Sequence, residues 1–176
     1  MDNFREEVVT RKQGKIFNTV GYILCWILMI IFGIAAFLGI TELMAMNFQL
    51  GNILLTVIGG LLLYAMYRYK DNFRIEYEYT FTNGELDIAM VLGNNRRKAL
   101  TSVRMREVEA GGWEDGPTFA RFDEMKEVKH HNFYINSKSH LYYLFFTRDG
   151  KRIMILLEPT ETLVDMMTQY SKVMEK

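Results

Sequence analysis

The sequence contains a single cysteine, Cys25, which lies inside an apolar run. One thiol forms no intrachain disulfide and builds no cysteine-based metal site, so Cys25 reads as a small packing residue. Histidines are also few: His130, His131 and His140, all in one short region. Adjacent residues of a regular strand face opposite sides, so His130 and His131 do not converge on one ion. A metal site joining one of them to His140 and Asp123 or Glu127 is therefore not expected. There is no G-x-S-x-G, no P-loop, no H-E-x-x-H and no dinucleotide fingerprint. Asp123-Glu124 sits in an irregular stretch and reads as solvated. No catalytic residue, cofactor or metal is expected, and the chain reads as a non-enzyme. Surplus charge is missing too: 21 basic residues balance 21 acidic ones. Neutralising a phosphate backbone needs a basic surplus on one face, which argues against nucleic acid as a partner.

Charge is nearly absent from one long stretch. Between Lys15 and Arg68, Glu42 is the only charged residue. The flanking runs, Ile16 to Ile40 and Leu50 to Tyr67, approach or exceed the roughly 20 helical residues that cross a bilayer core. Both are apolar on every face rather than along one stripe, so they read as membrane passes and not as buried helices of a soluble protein. The first run exceeds the roughly 7 to 15 residues of a signal-peptide core and has no small-residue cleavage site after it, so it reads as a retained anchor. Arg5, Arg11, Lys12 and Lys15 precede the first pass, and Arg68, Lys70 and Arg74 follow the second. The connection, Thr41 to Gln49, has no Lys or Arg, which places both termini in the cytoplasm. Tyr64, Tyr67 and Tyr69 suit an interfacial belt, whereas Trp26 reads as too deep for one and is expected against lipid or a neighbouring helix. Ala35 and Gly39 form a small-xxx-small pair, and Gly59-Gly60 opens a flat patch. Such residues let helices approach closely, within the hairpin or between chains. No ionisable residue marks a bilayer centre, so transport by these two helices alone is not expected.

Before the hairpin, residues 2–15 allow an interfacial helix, with Phe4 and Val8 one turn apart, or no fixed structure. Beyond it the period changes to two. Phe73 to Thr82 alternates, Asn83-Gly84 is a hairpin turn signal, and Glu85 to Leu92 alternates again. Gly93-Asn94-Asn95 predicts a further turn and Arg97 to Met105 a third strand, giving an antiparallel meander. Residues 110–127 carry turn signals in Gly111-Gly112-Trp113 and Asp115-Gly116-Pro117 and read as a long loop. Either its rings fold back into the domain, or Trp113, Phe119 and Phe122 anchor a partner. Glu127 to Asn136 predicts a strand, and Leu141 to Thr147 with Lys151 to Leu157 predicts a hairpin about Asp149-Gly150. Thr160 suits a helix N-cap, and Leu163, Met166, Met167, Tyr170, Val173 and Met174 recur at helical spacing. The 12 methionines read as core fillers, not metal ligands.

The run FTNGELDIAMVLGNNRRKALTSVRMREVE, with the closing hairpin and helix, resembles the bacterial pleckstrin-homology-like (PH-like) pattern. The whole chain resembles small bacterial two-helix membrane proteins. The resemblance implies an antiparallel open β-barrel capped by a C-terminal amphipathic helix, an α+β domain behind a membrane α-helical hairpin. The expected division is a cytoplasmic lead at 1–15, the hairpin at 16–67 and a cytoplasmic domain at 68–176, in the bacterial plasma membrane. Phosphoinositide-binding relatives hold phosphates with basic residues around their first hairpin. Here Glu76, Glu78, Glu85 and Asp87 flank that turn, so headgroup binding of that type is not expected. Arg96, Arg97 and Lys98 lie in the next turn and either touch an anionic leaflet or remain an ordinary solvated turn. Two functions follow as expectations. One is a scaffold that binds a protein partner or a second copy at the inner face. The other is an accessory subunit of a transporter or channel acting through the hairpin.

Overall fold

The structure, a computed structural model, describes residues 3–12, 14–93, 95–171 and 173–174. Asn94, in the turn predicted after Leu92, and Asp2 and Gln13, in the lead, lie outside the described residues. The chain divides into two compact units. One holds residues 14–75 with 92–95; the other holds the N-terminal strand, residues 76–91 and the chain from Arg96 onward.

The first unit is a helical hairpin. Helices α1 (Lys15–Met44) and α2 (Leu50–Tyr69) are long and apolar enough to cross a membrane, and most of their large apolar side chains point outward. They pack where small residues meet. A Cβ built on Gly59 would stand 3.0 Å from the Ala36 amide nitrogen, and one on Gly39 would stand 2.9 Å from that of Thr56. The residue numbers in the two facing pairs sum to the same value, as antiparallel packing requires. Gly60, beside Gly59, has nothing within 4 Å of such a Cβ, and Ala35 is half-buried while Ala36 is buried. Helix α1 includes Thr41 and Glu42, which leaves residues 45–49 to turn the chain; the Asn47 amide donates to Glu42 at 2.9 Å.

Trp26 is exposed and lies beside the polar end of α2. The Lys70 ammonium stands 6.0 Å from the Trp26 ring and 4.9 Å from the Tyr67 ring, and the Arg74 guanidinium stacks 3.8 Å over Tyr22. The two helices differ in length, 30 against 20 residues, so the first turns of α1 run past the end of α2 onto the 3-10 turn Lys70–Phe73. There a Cβ on Gly21 would meet the Phe73 ring.

The second unit is a pair of four-stranded sheets. In the first, β1 (Phe4–Val9), β2 (Ile75–Thr82), β3 (Glu85–Leu92) and β4 (Arg96–Arg104) lie in chain order. Residues 4–9 are thus neither an interfacial helix nor an unstructured lead: they pair antiparallel with β2, from Phe4 opposite Thr82 to Val9 opposite Tyr77. Positions four apart share a face in a helix and in a strand alike, so Phe4 and Val8 did not distinguish the two. At the β2–β3 turn both Asn83 (φ 48°) and Gly84 (φ 90°) are left-handed, the type I′ geometry that suits this pair of residues.

The second sheet runs in the order β5 (Val108–Trp113), β7 (Tyr142–Arg148), β8 (Lys151–Leu157), β6 (Val128–Phe133). β7 and β8 form the predicted hairpin, with Asp149 and Gly150 both left-handed. β6 instead lies parallel to β8 on the far side. The segment joining β5 to β6 therefore crosses the sheet. Its short helix α3 (Phe119–Asp123) lays Phe119 and Phe122 on the cluster of Tyr143, Phe145 and Met154, and Met125, just after the helix, joins them. The alternate residues Tyr142, Leu144 and Phe146 join Tyr79, Phe81, Leu86, Ile88 and Val103 in the main core. β7 is thus buried on both faces. Each fully buried side chain of this kind contributes about 1.5–3 kcal/mol.

Helix α4 (Glu161–Thr168) starts at Thr160, whose hydroxyl accepts from the Leu163 amide, and buries Leu163, Val164 and Met167. It ends earlier than the apolar spacing implied. Tyr170 follows the helix and packs edge-on against Phe81, and Met174 bridges to Gly111 in β-fashion.

The close approach at Gly39 and the open space at Gly60 predict opposite responses to substitution. Gly39→Val should lower hairpin stability in detergent by about 1–3 kcal/mol, as overpacking does. Gly60→Ala should stay within about 0.5 kcal/mol of the parent. Thermal unfolding followed by circular dichroism measures both, and equal effects would contradict the packing described.

Candidate functional site

A buried polar cluster ties both ends of the chain into the second unit. The Glu158 carboxylate accepts from Asn136 Nδ2 at 2.9 and 3.0 Å, from Ser139 Oγ at 2.6 Å and from Lys12 Nζ at 2.9 Å. Asn136 returns a bond to the Thr10 carbonyl, and its side-chain oxygen accepts from the Lys12 amide at 2.7 Å. Burial alone would raise the Glu158 pKa; the bonds from Ser139, Lys12 and Asn136 outweigh it and hold the group below its usual range. Nearby, the Tyr79 hydroxyl donates to the Phe133 carbonyl and accepts from the Glu158 amide. Burial pushes its pKa up, so it remains a donor. Glu7 accepts from Thr160 through both amide and hydroxyl and from Arg5 at 3.0 Å, placing a carboxylate at the start of α4. Above this cluster lies a depression of about 400 Å³ that includes Arg11, Lys12, Ser137 and Lys138. Sequence reasoning missed the whole cluster. Thr10 and Lys12 lie more than 100 residues before their partners, and nothing local marks Asn136 or Glu158.

The structure does not gather the three aromatic candidates. Trp113, at the end of β5, stacks on His140 at 4.1 Å and meets Tyr142 edge-on at 5.1 Å, next to the main core. Phe119 and Phe122 lie across the other face of the sheet, against Tyr143 and Phe145. All three are half-buried. The histidines are equally dispersed. His130 faces Asp123 at 3.6 Å, His140 bonds Asp115 at 2.8 Å, and His131 stacks over Phe133. Burial, then the charge of Lys129, lowers the His131 pKa, while the His140 bond lowers that of Asp115. Among the described residues no group of three or more histidines, cysteines and carboxylates stands together.

The basic candidates border an opening between the sheets. β4 ends one sheet and β6 ends the other, and neither has a strand on its outer side among the described residues. Between them lies a cleft of about 300 Å³ with Leu100, Phe133, Phe146 and Ile153 in its lining and Lys98 and His131 at its polar positions. Arg97 turns away to Glu78 at 2.8 Å, Arg96 is half-buried and Lys98 is exposed. Arg148 Nη2 donates to the Ser102 carbonyl at 2.9 Å, closing one end of the β4 edge. β6 falls within the strand expected over Glu127 to Asn136, but its parallel pairing with β8, which puts it at the open edge, has no local signal.

Over residues 1–174 the chain matches the family described as Bacterial PH-like domain (DUF6106), and it belongs to that family. No curated protein and no solved structure matches it.

The Glu158 cluster predicts a pH-dependent stability. A carboxyl whose folded pKa is depressed stabilises fully above its ordinary value of about 4.3 and loses that contribution as pH falls through the folded value. Glu158→Ala should cost about 2–3 kcal/mol near pH 7, because Lys12, Asn136 and Ser139 lose a charged acceptor. In thermal melts from about pH 7 to 3, the gap between parent and Glu158→Gln should narrow on acidification. A gap independent of pH would contradict a charged Glu158.

Proposed function

We propose that this member of the bacterial PH-like family is a non-enzymatic, membrane-anchored interaction module. In this reading α1 and α2 cross the bacterial plasma membrane as a two-pass hairpin with both termini in the cytoplasm. The sheet domain acts as an open PH-like barrel capped by α4, and binds a protein partner or a second copy at the inner face. The uncovered cleft between β4 and β6 carries the reading, since it leaves apolar surface and two strand edges available where a closed barrel would have neither. Support for the anchor comes from the outward apolar surface of both helices and from the basic residues on either side of them.

The accessory-subunit reading draws on Gly60, whose side of α2 is left open by the packing within the hairpin. A photoreactive amino acid placed at Trp113, at Lys98 or at Gly60 and irradiated in intact membranes separates the two. The module reading expects adducts from the domain positions. Adducts from Gly60 alone would favour the accessory subunit, and no adduct from any domain position would contradict the module.

A further inference from the structure

The cleft has three properties that together select a class of occupant. First, the outer edge of β4 carries main-chain donors and acceptors with no strand partner among the described residues, and an unpaired edge is a template for an added strand. Second, the lining beside that edge is apolar at Leu100, Phe133 and Ile153, which are only partly buried although they pack against the main core. An extended chain presents every second side chain to one face, so it can set apolar residues there while its alternate residues face out. Third, the surroundings are cationic. Lys98 lines the cleft, and none of the lining residues is acidic. Lys129 lies two positions before His131 on β6, opposite Ile153 in the register, and Lys151 opens β8; both are exposed. Charge on β4 by itself would serve to keep edges from aggregating. Apolar surface left partly open beneath the same edge does not serve that purpose, and it is what an incoming strand would cover.

We propose that the β4–β6 cleft receives an extended acidic segment of a partner protein, which hydrogen-bonds to the β4 edge and rests alternate apolar side chains on Leu100, Phe133 and Ile153. The segment's carboxylates, at its alternate positions, lie in the field of the exposed Lys98 and Lys129. This deepens the interaction-module reading and rests on it.

The test uses the full chain in nanodiscs of zwitterionic lipid and three labelled nonapeptides. One alternates Glu with Val, the second alternates Lys with Val, and the third is the Glu-Val peptide with a central Pro. The Glu-Val peptide should bind at least about tenfold more tightly than the Lys-Val peptide, with an advantage that shrinks as salt rises. The central Pro removes a main-chain donor and should weaken binding by about tenfold. Lys98→Glu with Lys129→Glu should weaken the Glu-Val peptide by about tenfold, and the peptide should slow amide exchange in residues 97–101. Equal binding of the three peptides, or unchanged exchange in β4, would overturn the proposal. So would indifference to all three peptides combined with capture of vesicles containing phosphatidylglycerol, which would make the cleft an anionic-lipid surface. Photo-adducts from Trp113 that persist in the double Lys variant, with no peptide binding, would remove the cleft and leave the module standing. Loss of every domain adduct from the parent chain would remove the module itself.

Discussion

The pairing of β1 with β2 is the constraint on which the architecture depends. The two strands are hydrogen-bonded neighbours, yet the whole helical hairpin lies between them in the chain. A connection of that length would cost substantial closure entropy if it were flexible. Here it folds on itself through Gly39 and Gly59 and returns the chain near where it left. The hairpin is thus an insertion between two adjacent strands of one sheet, not an appendage in front of a domain. Glu7 and Lys12, on the N-terminal side of the insertion, reach Thr160 and Glu158 at the other end of the sequence. The first dozen residues and the last strand and helix therefore stabilise one another.

This arrangement explains which parts were legible in the sequence. The two long apolar helices, the Asn83-Gly84 turn, the Asp149-Gly150 hairpin and the Thr160 cap are encoded by neighbouring residues, and each appears where its local signal placed it. β1 is different. Its inward positions are Arg5, Glu7 and Val9, and a strand that sends a guanidinium and a carboxylate inward does not show apolar alternation. Those charges are tolerated because Arg5 pairs with Glu7, and Glu7 also accepts from Thr160 at the far end of the sequence. The segment from Glu114 to Glu127 was opaque for a related reason. It is a crossover whose rings, Phe119 and Phe122, pack on a sheet face that exists only after β5, β7 and β8 have assembled.

The functional argument rests on a similar long-range feature. Two sheets that share a core remain unjoined along β4 and β6, and this leaves apolar side chains under a cationic edge. Neither strand reveals this alone: β4 reads as a basic turn and strand, and β6 as a polar strand. Only their placement at opposite ends of two different sheets creates the opening. The candidates proposed from composition, Trp113, Phe119 and Phe122, were the most conspicuous aromatics, but they are distributed over two faces and partly occupied by packing. Lys98, Leu100 and His131 are less conspicuous in sequence and line one cleft.

Amide hydrogen exchange at residues 4–9 of the full chain in nanodiscs bears on the whole account. If these residues are a strand of the domain, their bonded amides should be protected to the same degree as those of Ile75–Thr82 and lose protection together with them. Exchange at the rate of an unstructured tail, while residues 75–82 remain protected, would show that β1 does not belong to the sheet and that the hairpin merely precedes the domain.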